Sequence, residues 1–156
     1  AKVAAELPDA ILVIIGKGRL EQDLKQQVQQ LNLQERVIFS GVIPQAVNYF
    51  KAFDCFVLSS DNEPFGMVLL EAIIADVPII TTNAGGAKEI IIDPHWLFDV
   101  GDAATLAEKM RQMYQLDNTK RDIINEDNLK WLQQNITEEA VKETFWNLPF
   151  MASLCK

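Results

Sequence analysis

Cysteine and histidine are scarce in this sequence: its 156 residues hold two cysteines, Cys55 and Cys155, and one histidine, His95. No Cys-x-x-Cys pair and no His/Cys cluster can be assembled from them. That argues against a zinc-type centre and a disulfide framework, and makes a reducing compartment the default. Glycine and proline number only seven and six, too few for a fibrous or low-complexity chain. Positive charge is in deficit, with 14 Lys and Arg against 22 Asp and Glu and a net charge of -8. Such a balance repels a phosphate backbone and excludes nucleic acid as a general partner, while leaving room for one phosphorylated small molecule in a local site. No run approaches the roughly 20 apolar residues that cross a bilayer. The N-terminal stretch also lacks the basic, apolar and small-residue sections of a signal peptide. The expectation is a cytoplasmic protein, in which Asn135-Ile136-Thr137 matches the glycosylation sequon by chance.

What is present is apolar residue in quantity, 49% of the chain, enough for the core of one domain spanning 1–156. It is distributed in short runs: 10–15 (AILVII), 36–40 (RVIFS), 55–59 (CFVLS), 78–82 (PIITT) and a weaker 96–100 (WLFDV). These are rich in Val and Ile and nearly continuous, as strands covered on both faces are. Helical spacing separates them. Leu20, Leu24, Val28 and Leu31 form one apolar stripe, and Leu106, Met110 and Met113 another. Pro44 fits the first turn of a short helix reaching Phe53, and Asp102 fits an N-cap. Beyond about residue 116 the pattern is purely helical, with helices expected over 119–133 and 137–147. The alternation implies an α/β fold: a Rossmann-like, doubly wound parallel sheet of about five to six strands, helices on both faces and a helical tail.

In such sheets ligands bind beyond the carboxyl ends of the strands. The loops there are Gly16-Lys17-Gly18, Gly41 to Pro44, Ser60 to Gly66 and Asn83-Ala84-Gly85-Gly86, and they hold six of the seven glycines. The third leads into a segment in which Glu71 is the only charge from Phe65 to Ala75. A helix apolar on nearly every side is buried. Its first amides, from Phe65 to Leu69, lack intrahelical partners and suit a phosphate or diphosphate. A desolvated Glu71 needs hydrogen-bond donors. Ribose hydroxyls would supply them, and Glu63 would receive the hydroxyls of another group. Without a ligand, Glu71 would instead pair with a basic residue and hold the fold, and Glu63 would be a solvated loop carboxylate. Both readings stand on the residues alone.

Glu63-Pro-Phe-Gly-Met-Val-Leu-Leu-Glu71 resembles the E-x(7)-E motif of retaining GT-B glycosyltransferases, especially their family-four group. Ile14-Ile15-Gly16-Lys17-Gly18, the stretch from Val37 to Pro44, and Asn83 to Ile91 with its Gly-Gly-x-x-Glu are similar to that family's neighbouring segments, in the same order. The likeness covers roughly residues 7 to 115. It implies the C-terminal, donor-binding half of a GT-B enzyme, holding a UDP- or GDP-linked sugar. Glu63 would be the catalytic-side carboxylate, facing the transferred sugar with the backbone of Phe65 and Gly66. The amides of Met67 and Val68 would meet the diphosphate, Glu71 the ribose, and Val42 and Ile43 the base. The family's reaction retains anomeric configuration without a cofactor or divalent metal in the site, and serves polysaccharide, lipopolysaccharide or glycolipid synthesis. The family's Gly-Arg and Lys-Gly precede the first helix of this half, whereas this chain begins at Ala1-Lys2-Val3. The implied partners are therefore an N-terminal domain of the same chain and, through it, an acceptor sugar or lipid at the inner membrane face. Asp93-Pro94-His95-Trp96 replaces the family's Gly-rich turn before the fifth strand.

Other chemistries fit less well. Gly16-Lys17-Gly18 has Glu21 where a dinucleotide fingerprint needs glycine, and no Gly-Lys-Ser or Gly-Lys-Thr follows a strand. A glycosidase pair formed by Glu63 and Glu71 would be split by a helix N-terminus that favours an anion. The alternatives kept open are a non-catalytic nucleotide-sugar-binding or assembly module of the same fold, and a GT-B epimerase. His95 reads as a surface or packing residue, and Trp131 and Trp146 as core anchors.

Overall fold

Each apolar run becomes a strand in the computed structural model, which describes residues 1–137. The order is β1 (Leu12–Ile15), α1 (Glu21–Gln30), β2 (Val37–Gly41), a 3-10 segment (Ala46–Ala52), β3 (Phe56–Leu58), α2 (Met67–Ile74) and β4 (Ile79–Thr82). It continues with α3 (Ala87–Ile90), a 3-10 turn (Pro94–Trp96), β5 (Leu97–Phe98), α4 (Ala103–Gln115) and α5 (Asn118–Asn135). All strand pairs are parallel. The last two helices begin where short polar side chains cap them. Asp102 accepts from the Ala104 and Thr105 amides, and Asp117 from that of Lys120. Apart from Thr137, the helix expected over 137–147 lies outside the described residues, as do Trp146 and Cys155.

The strands form two ladders, β1-β2 and β3-β4-β5, in place of one continuous sheet. Only β4 has the full burial expected of a central parallel strand: Ile79, Ile80, Thr81 and Thr82 are all at most 1% exposed. Removing Ile79 and Ile80 from water contributes roughly 1.5–3 kcal/mol each. Leu69, Ile73 and Ala87 close over the same core, as do Phe98 and Met113, and Trp131 packs at its margin. β1 and β2 are the correction to the expectation of strands covered on both faces. Leu12 and Ile38 are about half exposed, and from β1, α1 and β2 only Ile15 reaches the main core. The stripe on α1 is likewise open, because Leu20, Leu24 and Leu31 meet no buried cluster among the described residues. A smaller cluster of Val3, Leu7 and Ala107 ties the N-terminal segment to α4, and Arg36 donates to the carbonyls of Ala4, Leu7 and Ala10.

Two local expectations change in detail. The short helix expected from Pro44 is a 3-10 segment, and it starts at Ala46, after Gln45 with its left-handed φ of 52°. The Asp93-Pro94-His95-Trp96 stretch makes a 3-10 turn in which the Asp93 carboxylate accepts from the His95 amide, so no glycine is required there.

Candidate functional site

The loop from Ser60 to Gly66 joins β3 to α2, and glycine determines its shape. Gly66, the residue before α2, has φ 82°, a left-handed value that favours glycine. A Cβ there would also lie 3.0 Å from Ile90 Cδ1 and 3.1 Å from Leu69 Cδ1. The Gly66 N–H donates to Glu63 Oε1 at 3.0 Å. The Glu63 main chain is held from the other side, where the Gly86 N–H donates to its carbonyl at 2.8 Å. Gly85 (φ 57°) approaches so closely that a Cβ on it would fall 2.1 Å from the same carbonyl oxygen. Thr82 anchors the loop's other end by donating its hydroxyl to the Ser60 carbonyl at 2.6 Å. The loops after β3 and β4 are therefore one interlocked unit. Resemblance marked the Gly-Gly segment, but its contact with Glu63 was not readable from the sequence. Its only signal there is two consecutive glycines after a strand.

Helix α2 opens on unspent donors. The amides of Leu69 and Leu70 both go to the Gly66 carbonyl, at 2.8 and 3.3 Å, and none of the hydrogen bonds around this helix start uses the Met67 or Val68 amide. The helix is not buried all round, which corrects the expectation drawn from its composition. Leu69, Leu70, Ala72 and Ile73 are buried, whereas Met67 and Ile74 are 60% and 63% exposed. Glu71 falls on that open stripe, one turn past Met67, and is half-buried. Ion pairs occur elsewhere, as between Lys25 and Glu21 or Arg111 and Glu6, but among the described residues no hydrogen bond or ion pair reaches the Glu71 carboxylate. Among the described residues, therefore, the fold-holding pairing of Glu71 with a basic residue is not made.

Glu63, Phe65, Gly66, Met67, Val68 and Glu71 thus lie together at one junction, with Phe65 52% exposed. Val42 and Ile43 follow β2 on the other ladder, Val42 being 67% exposed. The junction is an open surface. Two shallow pockets of about 200 and 180 Å³, one at Asn83, Phe98 and Asp102 and one at Gly16, Lys17 and Phe39, include neither Glu63 nor Glu71. Chemically, two free amides at a helix start attract an anion, and carboxylates on either side accept hydroxyl hydrogen bonds. Cys55 is no competitor as a reactive group. Burial pushes its thiol up to about 12, with Arg121 pulling the other way and Asp54 adding to the rise, so the nucleophilic thiolate is scarce at neutral pH. His95 is exposed and sets its ring edge-on to Trp96 at 4.8 Å. Among the described residues no group of His, Cys, Asp and Glu is arranged to hold a metal ion, and no helix is long and apolar enough to cross a membrane.

The family model for glycosyl transferases group 1 matches residues 1–130. The chain belongs to that family. N-acetyl-alpha-D-glucosaminyl L-malate synthase of Bacillus anthracis is 34% identical over 125 residues, covering 79% of this chain and 32% of the relative. The lipopolysaccharide core biosynthesis glycosyltransferase LpsE of Rhizobium meliloti is 28% identical over 149 residues, 94% of this chain and 44% of that protein. Among solved structures, Anabaena HepE in complex with UDP-glucose superposes with a TM-score of 0.77 at 25% identity, over 90% of this chain and 42% of HepE. The group 1 chain described here thus has the GT-B-type α/β architecture, and it spans less than half the length of these relatives.

Proposed function

We propose that this chain is a donor-binding domain of a retaining glycosyltransferase, and that the β3–α2 junction holds a nucleotide-diphosphate sugar. The observation that carries this is Glu71: a half-buried carboxylate with no hydrogen-bond or ion-pair partner among the described residues, one turn beyond two amides that are unspent there too. In this reading the Met67 and Val68 amides take the diphosphate, and their fixed dipoles stabilise the charge that develops as it leaves. Glu71 accepts from the ribose hydroxyls, Glu63 and the backbone at Phe65 and Gly66 face the transferred sugar, and Val42 and Ile43 border the base. The carboxylates accept hydroxyls directly, so the reading needs no metal or other cofactor.

HepE was solved with UDP-glucose, which favours a UDP-linked donor here, with a GDP-linked sugar the other candidate. The relatives' lengths favour an acceptor-binding domain elsewhere in the same protein. The open junction fits that arrangement, because catalysis needs a second wall to exclude water. A lipopolysaccharide core enzyme among the relatives favours a sugar or lipid acceptor, met from the cytoplasmic side of the membrane. The test is a titration of the chain with UDP-glucose and with GDP-mannose, followed by amide NMR. Shifts concentrated at residues 65–71 with one of them are expected. Absence of shifts there at millimolar concentrations of both refutes the assignment.

A further inference from the structure

Glu63, in the loop that precedes α2, is held twice. One is the Gly66 N–H on its carboxylate at 3.0 Å. The other is the Gly85–Gly86 turn beneath its main chain. The Gly86 N–H donates to the Glu63 carbonyl at 2.8 Å, and Gly85 lies so close that a Cβ would sit 2.1, 2.8 and 3.1 Å from the Glu63 O, C and N atoms. No side chain can occupy that space unless the loop moves. The next glycine is tight but less so, since a Cβ on Gly86 would be 3.0 Å from the Pro64 carbonyl oxygen and 3.1 Å from Phe65 Cα. The turn itself opens the short helix α3, whose Ile90 side chain packs at Gly66. The backbone beneath Glu63 is thus set by a loop more than twenty residues further along the chain.

From this we infer that Gly85 and Gly86 are positioning residues for Glu63. The turn fixes the height of the Glu63 backbone, and the Gly66 amide then aims one carboxylate oxygen inward, leaving the other for a sugar hydroxyl. The turn would act on recognition of the sugar and not on recognition of the nucleotide. The unspent Met67 and Val68 amides and Glu71 belong to α2, with which the turn shares no backbone hydrogen bond; it meets the helix start through Ile90 at Gly66 and through Gly86 at Phe65. The inference deepens the donor-site reading and rests on it for its consequence, although its geometry is testable without any ligand.

The milder substitution, Gly86→Ala, requires a displacement of only a few tenths of an ångström, so it is the working variant, with Gly85→Ala as the stronger one. In 1H–15N spectra of the ligand-free chain, Glu63→Ala moves the Gly66 amide by removing its acceptor, and Gly86→Ala should move it in the same direction. An unmoved Gly66 amide in Gly86→Ala overturns the positioning role, whatever the protein binds. The functional arm compares UDP with UDP-glucose in wild type, Gly86→Ala, Glu63→Ala and the double variant. Gly86→Ala should weaken UDP-glucose by about tenfold, the order of one charge-assisted hydrogen bond, and leave UDP within about twofold. Because the turn works through Glu63, it should add nothing further in the Glu63→Ala background. Equal losses for UDP and UDP-glucose, or independent effects in the double variant, refute the proposal. A wild-type chain that binds neither probe, with the Gly66 amide behaving as expected, refutes the donor reading and leaves the positioning geometry standing.

Discussion

Replacing Glu71 by alanine separates a ligand-gripping carboxylate from a fold-holding one, because the two roles predict opposite outcomes in two measurements. The carboxylate has no partner to lose among the described residues, and alanine is the better helix former by a few tenths of a kcal/mol. The melting temperature of Glu71→Ala should therefore equal or slightly exceed that of the parent. A carboxylate that instead closed a buried ion pair would cost about 3–5 kcal/mol on removal of one partner, or roughly 6–20 °C for a chain of this size. Binding should move the other way. Each charge-assisted bond from a ribose hydroxyl is worth about 1.5–3 kcal/mol, and partial replacement by water leaves a net loss of about 2–4 kcal/mol for the pair. That weakens UDP binding roughly 30- to 700-fold. Glu71→Gln, which keeps one acceptor without the charge, should fall between. Calorimetric titration with UDP and a thermal melt on the same preparations provide both readouts. A melting temperature lowered by more than about 5 °C with UDP affinity unchanged would refute the reasoning.

Three further predictions follow from particular contacts. Gly66→Ala forces a non-glycine residue to φ 82° and sets a Cβ 3.0 Å from Ile90. The strain of about 1–2 kcal/mol should lower the melting temperature by roughly 2–8 °C. Asn125 is buried, and its Nδ2 donates to the Asp76 carbonyl at 3.0 Å, tying α5 to the end of α2. Asn125→Leu should cost about 1–3 kcal/mol in urea unfolding, and an unchanged midpoint would show that the bond does not matter. The Asp102 carboxyl is held below its ordinary 3.8, first by the Thr105 hydroxyl and then by the Thr105 and Ala104 amides. A depressed carboxylate contributes stability that is present above that ordinary value and is lost as pH falls through the folded-state value. Asp102→Asn should accordingly make the acid limb of the stability curve shallower below about pH 3.8, read as urea midpoints from pH 5 down to 2.

Much of the fold was legible because its determinants are local. The runs 12–15, 37–41, 56–58 and 79–82 are apolar and β-branched in short stretches, and each became a strand. Asp102 precedes a helical period and caps it. The junction was legible for a similar reason, since a glycine before an apolar helix marks a left-handed entry, and the spacing of Glu63 and Glu71 follows from chain order alone. Exposure was the harder quantity. Composition points the wrong way for β1 and β4: Leu-Val-Ile-Ile of β1 is more apolar than Ile-Ile-Thr-Thr of β4, yet β4 is sealed between β3 and β5 while β1 and its partner strand keep Leu12 and Ile38 half in solvent. In the same way α2 looks greasy all round, but Met67 and Ile74 face outward on either side of Glu71.

By itself, then, the amino-acid order determined the alternation of strands and helices, the glycine entry to α2 at Gly66 and the two acidic positions around it. Short-range backbone sterics and side-chain periodicity act within a few residues, so they are written into neighbouring letters. Only the three-dimensional packing decided that Gly85 and Gly86 lie under Glu63, that no cation among the described residues reaches Glu71, and that the strands divide into two ladders. Those outcomes depend on which distant surfaces meet, and burial and pairing between remote segments are settled by the whole chain at once.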